Sequence, residues 1–152
     1  MKHSAGIATA LVVVAAALAA GGCGGGTSRQ GSDSAAAFVS RVTTEFSRGQ
    51  TGRLWDTLIP ADQQVVTRAR FVECQANEGW SLKKIDVLET YDDPVTVGTK
   101  SLPAKAVTVR VSSDNGVTTA TMHAVAVNGT WRWTLQPSDR VAYASGKCPR
   151  TG

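Results

Sequence analysis

The chain has 152 residues, enough for one packed domain with appendages and too few for two ordinary domains. Its formal charge of +4 comes from Lys and Arg scattered without a block or interleaved aromatics, which excludes a nucleic-acid footprint. Three cysteines and two histidines, without a Cys-x-x-Cys or a second ligand group at metal spacing, leave no expectation of a metal or cofactor.

The first stretch reads as an address. Lys2 and His3 precede an apolar run over residues 7–20, followed by Ala20-Gly21-Gly22-Cys23. As a helix that run measures roughly 20 Å at ~1.5 Å per residue, against a hydrocarbon core of about 30 Å, so it is short for a span. A cysteine after small residues and before Gly24-Gly25-Gly26 fits cleavage and lipidation. Residues 1–22 are therefore expected to be a lipoprotein signal. Cys23 would be lipidated with acyl chains such as palmitate and anchored on the extracytoplasmic face of a bacterial membrane. Ala20 stands where leucine is commoner, and the alternative is an ordinary secretory signal that leaves Cys23 without a role. Residues 23–33, rich in Gly and Ser, read as a flexible tether.

A helical half follows. Asp33 or Ser34 can cap a helix running to about Ser47, with Ala35, Phe38, Val39, Val42 and Phe46 on one stripe and Gly49 as its stop. A second helix is expected over 52–59, burying Leu54, Trp55, Leu58 and Ile59 before Pro60. A third is expected over 61–77, with Val65, Val66, Ala69, Val72 and Ala76 near helical spacing. Gly79 ends this half.

From there the period changes to two. The segment 80–91 is a strand candidate with Ile85, Val87, Glu89 and Tyr91 on one side and Leu82, Lys84, Asp86 and Leu88 on the other. Asp92-Asp93-Pro94 is a turn, 95–98 a short edge strand, and a loop containing Pro103 leads into two hairpins. A two-residue loop at Asn115-Gly116 pairs Val111 with Ala120, Val109 with Met122 and Val107 with Ala124. A second at Asn128-Gly129 pairs Ala126 with Trp131, Ala124 with Trp133 and Met122 with Leu135. Both registers put valines, alanines and indoles on one face. Thr108, Arg110, Thr119, Thr121, His123, Arg132 and Thr134 fall on the other, which is expected to be wet. Pro137 ends the sheet, so the domain is expected over 34–137 and a polar tail with Cys148 over 138–152.

Helices followed by an antiparallel sheet argue an α+β domain with the helices on the apolar face. Three segments carry a resemblance: Phe46-Ser47-Arg48-Gly49, the run Leu54-Trp55-Asp56-Thr57-Leu58-Ile59-Pro60, and the hairpin Asn128-Gly129-Thr130-Trp131-Arg132-Trp133. On these, residues 33–136 resemble the nuclear-transport-factor-two-like superfamily, a cone of helices on a curved sheet. Trp55-Asp56, Pro60, Gln63 or Gln64, and Arg70-Phe71-Val72-Glu73-Cys74 are similar to a group of small actinobacterial lipoproteins of unsettled activity. The resemblance implies a homodimer through the sheet as an option, with Val125 and Val127 as outer-face candidates.

Cys74 and Cys148, an even pair once Cys23 is set aside, read as a disulfide in an exported protein. An enzyme of this fold would need an acid or base inside the cone, and the three best-defined strands offer only Val, Ala, Met, Trp and Leu there. The candidates for such a pocket are Trp55, Asp56, Glu89 and Tyr91, where Asp56 could act as base and Tyr91 as oxyanion donor in the manner of isomerase-like members of the superfamily, although none of their catalytic motifs carries over residue by residue. The plainer reading makes Asp56 a helix-surface carboxylate, Tyr91 a strand-end aromatic, His123 a solvated strand residue and the tryptophans core. The expectation is a non-catalytic binding or accessory module held at the membrane by its lipid anchor, recognising an envelope protein or polymer. The alternative is a small-molecule carrier or a cofactor-independent isomerase or dehydratase.

Overall fold

The computed structural model describes residues 34–76 and 80–149. The signal, Cys23, the tether and the stop at Gly79 lie outside the described residues. The helical half comprises α1 (Ala35–Ser47), α2 (Thr51–Asp56), α3 (Pro60–Val65) and α4 (Arg68–Cys74). Ser34 caps α1 in an extended conformation, its hydroxyl accepting from the Ala37 N–H. Phe38, Val39 and Val42 are completely buried on its apolar stripe, and the chain leaves the helix at Gly49 with φ +64°.

α2 is shorter than expected because the residues after it extend. The Trp133 N–H donates to the Thr57 carbonyl and the Ile59 N–H to the Trp133 carbonyl, a parallel bridge that consumes what a longer helix would need. The single helix expected over 61–77 is two. Val66 is extended at φ −134°, and Thr67 caps α4 by accepting from the Arg70 N–H. Consecutive β-branched residues at Val65, Val66 and Thr67 weaken a continuous helix, while the Thr67 cap rewards a restart. The Trp55 Nε1–H, donating to the Val66 carbonyl at 2.8 Å, pins the break.

Beyond the helices, β1 (Leu82–Asp92), β4 (Ala104–Ser113), β5 (Gly116–Val127) and β6 (Thr130–Trp133) form an antiparallel sheet in the order β1-β4-β5-β6. β2 (Val95–Val97) and β3 (Lys100–Leu102) make a separate two-stranded ribbon, and α5 (Pro137–Ala144) lies in the stretch read as tail. Asn128 (φ +50°) and Gly129 (φ +76°) form the expected tight turn, pairing Ala126 with Trp131 and Ala124 with Trp133. Leu135 lies past the end of β6 and does not pair with Met122.

The first hairpin differs. Its loop is Asp114-Asn115, with Gly116 at φ +119° opening β5, so Val111 pairs with Thr118, Val109 with Ala120 and Val107 with Met122. Side-chain bonds hold the bend there: Asp114 Oδ1 accepts from the Ser81 N–H and Ser113 Oγ from the Asn115 N–H. The slip is two residues, the period of a strand, so every side chain keeps its expected face.

A one-residue irregularity in β1 is less forgiving. A bulge between Val87 and Glu89 leaves Ile85 opposite Val111 and Val87 opposite Val109, but places Glu89 opposite Thr108 and Tyr91 opposite Ala106. Glu89 and Tyr91 therefore lie on the face away from Ile85 and Val87, contrary to strict alternation.

The helix-covered face holds the main core. Trp133 sits at its centre, edge-on to Phe46 and Phe71 at centroid distances of 5.4 and 6.2 Å, with its Nε1–H donating to the Leu54 carbonyl at 2.9 Å. The outer face is dry at one end. Ala104, Val125 and Ile59 form a second buried cluster against Val95, Val97 and Leu102 of the β2–β3 ribbon. Val125 is only 3% exposed, so the outer surface expected to serve a dimer is already occupied there by the chain itself. Cys74 and Cys148 are disulfide-bonded, Cα to Cα 5.3 Å, joining the end of α4 to the segment after α5. Closing a loop of this length contributes about 2–4 kcal/mol.

Candidate functional site

Three hollows among the described residues are considered in turn, and each follows from where the helices or the ribbon stop covering the sheet. The first, about 200 Å³, lies at the hairpin end of the helix-covered face between Phe46, Trp80, Val109, Val111, Ala120 and Met122. Small Ala120 leaves room that α1 does not fill. Thr43 and Thr118 complete the lining among the described residues, none of which is ionisable, and the Thr43 hydroxyl is satisfied by donating to the Val39 carbonyl at 2.9 Å. Such a surface can hold an apolar group and offers no proton transfer.

The second hollow, about 280 Å³, is on the outer face among Asp93, Thr96, His123, Thr134, Gln136 and Arg140. At its base Asp62 of α3 is fully buried. Its Oδ1 accepts from Arg140 Nε at 2.5 Å, and its Oδ2 accepts from the Leu135 N–H at 2.8 Å, from the Thr134 hydroxyl at 2.9 Å and from Arg140 Nη2 at 3.3 Å. Arg140 also bonds the Thr134 hydroxyl, and its Nη1 donates to the Thr96 carbonyl at 3.2 Å. A buried carboxylate is tolerable only when its charge is paired and its lone pairs are filled, and both conditions are met here. His123 Nε2 lies 2.7 Å from Asp93 Oδ2, binding the turn before β2 to β5. These groups face one another, so the cleft acts as a clamp joining α3, α5, the ribbon and the sheet.

The third hollow, about 330 Å³, lies at the far end of the sheet, lined by Asp92, Pro103, Ala104, Lys105, Ala126 and Trp131. Trp131 is half-buried, and Ala126 opposite it is exposed. Lys105 Nζ and Asp92 Oδ1 form an ion pair at 2.7 Å, with Asp92 81% exposed.

The four residues expected to bound a pocket do not converge. Trp55 packs at the margin of the main core, and exposed Asp56 pairs with Arg68 at 3.2 Å. Glu89 and Tyr91 are exposed on β1, one edge of the sheet, whereas the chain just after Asp56 bridges to β6, the other edge. Three strand spacings of about 4.8 Å, roughly 14 Å, separate those edges. Tyr91 also lies on the outer face, so it cannot serve as oxyanion donor to a base at Asp56. His123, expected to be solvated, is instead bonded to Asp93. Sequence reasoning passed over Asp62 and Arg140 altogether and read Trp131 as core like Trp133. The available signal for Trp131 was a small, terminal cross-strand partner.

Among the described residues no group of three or more His, Cys, Asp or Glu is placed to hold a metal ion, and no described helix is long and apolar enough to cross a membrane. No family model matches the chain, and no curated protein matches it either.

Proposed function

We propose that this chain is a lipid-anchored extracytoplasmic domain of nuclear-transport-factor-two-like type that works by binding a partner or polymer of the cell envelope rather than by catalysis. The observation that carries the reading is the apolar hollow at the mouth of the helix-covered face, where such a domain takes its ligand and where no described lining residue is an acid or base. The disulfide between Cys74 and Cys148 supports an oxidising compartment. Helices laid on one face of a four-stranded antiparallel sheet agree with the cone.

Replacing Cys23 with Ser should move the protein from the membrane fraction to the medium, and unchanged fractionation ends the lipoprotein reading. A pull-down from envelope extract with the tethered protein, compared with Cys23→Ser, should enrich a specific envelope component only when the anchor is intact. A carrier of a small apolar molecule is the second reading, favoured by the same hollow. Organic extraction of the purified protein followed by mass spectrometry should then return a stoichiometric apolar compound. The isomerase or dehydratase reading is not carried forward, because Tyr91 is on β1 at one edge of the sheet, whereas Asp56 ends α2 and the chain just after it bridges to β6 at the other.

A further inference from the structure

We infer that the α2 surface around Asp56 docks the domain on the anionic headgroups of a phospholipid membrane, through Arg53, Arg68 and Arg132. The inference takes the nearness of a membrane from the lipid-anchored reading above and does not depend on the apolar hollow.

The three arginines are far apart in sequence and are brought together by the fold. Gly52, Arg53 and Asp56 stand three or four residues apart on one side of α2. Arg68, in the first turn of α4, lies along that side: its Nε donates to Asp56 Oδ1 at 3.2 Å, and its guanidinium rests over Gly52, where any Cβ would collide with Nη2. Glycine is a poor helix former, and here its missing side chain lets Arg68 come down on the helix. Arg132 of β6 reaches the same end of α2, its Nη1 donating to the Asp56 carbonyl at 2.6 Å and to the Leu58 carbonyl at 3.3 Å. Arg68 and Arg132 are thus held in place by part of each guanidinium. Their remaining N–H groups, like the whole of the exposed Arg53 guanidinium, bond no other described residue.

The charge is unbalanced at this place. The pairs Lys84–Asp86, Lys105–Asp92, Arg70–Glu73 and Arg140–Asp62 match one cation with one carboxylate, whereas around Asp56 three guanidinia meet one. A phosphodiester presents two non-bridging oxygens, which paired guanidinium N–H groups fit. None of the three hollows is lined by these arginines, so the surface suits an array of headgroups rather than one enclosed anion. The stretch 23–33, read as a tether, would hold Ser34 roughly 18 Å from the lipid on average. Each excursion toward the surface then brings the patch within the ~8 Å over which charges are felt at physiological salt.

The test uses the chain from residue 23 onward with Cys23→Ser, exported behind a general secretory signal so that the disulfide forms and no acyl chain is attached. Flotation with vesicles reads the fraction bound. The chain should bind vesicles of phosphatidylcholine mixed with an equal amount of phosphatidylglycerol, ignore phosphatidylcholine alone, and come off at about 1 M salt, where the screening length is about 3 Å. Arg53→Gln with Arg68→Gln should weaken binding about twenty-five-fold, roughly fivefold for each guanidinium at an anionic surface. Lys100→Gln with Lys147→Gln removes the same charge elsewhere and should weaken it by less than about threefold. Gly52→Ala keeps every charge but displaces Arg68, and should weaken binding by about three- to fivefold without lowering the melting temperature, because alanine favours the helix. The inference is overturned if anionic vesicles are not preferred, if the lysine pair matters as much as the arginine pair, or if Gly52→Ala binds like its parent. Saturable binding of glycerol phosphate without a vesicle preference would place a soluble anion there and overturn it as well. Because no acyl chain is present, such a failure leaves the anchor at Cys23 standing, whereas unchanged fractionation of full-length Cys23→Ser would end the anchor and leave the vesicle result intact.

Discussion

The two faces of the four-stranded sheet are held by different physics. The helix-covered face is closed by area: Phe38, Val39, Val42, Leu54, Phe71, Val107 and Trp133 exclude water with few polar atoms involved. Its stability is spread over many contacts, each roughly proportional to the surface removed from water. The outer face is closed at one end by a ribbon whose Val95, Val97 and Leu102 pack on Ile59, Ala104 and Val125, and by directed bonds converging on Asp62, His123 and Arg140. The first arrangement tolerates local error because dispersion is shared. The second does not, because one missing partner strands a charge.

The contrast is broken most severely by Trp133→Ala. Truncating the indole should cost toward the upper end of about 3–5 kcal/mol, through the cavity and through loss of the bond to the Leu54 carbonyl. Urea melts of variant and parent measure it directly. A melting temperature equal to that of the parent would place the ring on the surface and undo the account of this face.

Asp62→Ala should follow closely, at about 3–5 kcal/mol, because it leaves Arg140 and Thr134 buried without their acceptor. The cost is moderated by Arg140, which is 17% exposed and can turn toward water, whereas Asp62 is fully enclosed. The sharper experiment is the double variant Asp62→Leu with Arg140→Met. It should recover part of the loss, since no guanidinium is left stranded, while the Leu135 N–H and the Thr134 hydroxyl still lack the acceptor that Asp62 gave them. A double variant no better than Asp62→Ala would mean that the clamp contributes direct energy rather than directing how the chain closes. The bridge from Cys74 to Cys148 ranks third: replacing both cysteines with Ala should cost about 2–4 kcal/mol in unreduced protein.

The same contrast explains what could be read from the chain before folding. Period-two alternation and two Asn-Gly turns revealed the apolar face, and a slip of two in the first hairpin left that face intact. Ser34 and Gly49 marked the limits of α1 because capping chemistry is local. A single bulged residue at Leu88 reversed the facing of Glu89 and Tyr91, since alternation carries no warning of an inserted residue. Asp62 looked like an ordinary acid in a helix's first turn; its burial depends on Arg140, 78 residues away. Pro137 read as an end, although proline in the first helical turn is also a start, and a weak apolar stripe hid α5. Trp131 and Trp133 share one strand face and differ only in how far the helices reach, which no local pattern encodes.

The smallest effect is the most diagnostic. His123→Gln removes a bond to an aspartate that is 47% exposed, so the global cost should be at most about 1 kcal/mol after solvent screening. Its consequence should be local. The ribbon keeps the bond from the Asp93 N–H to the Ala104 carbonyl and its apolar contacts, but it loses the tie to β5. Amides in β2 and β3 should then exchange faster by a factor of about five per kcal/mol of lost local stability, while those of β4 and β5 stay protected. Equal acceleration in all four strands would show that the ribbon and the sheet open as one unit, and that the outer face has no separate fastening.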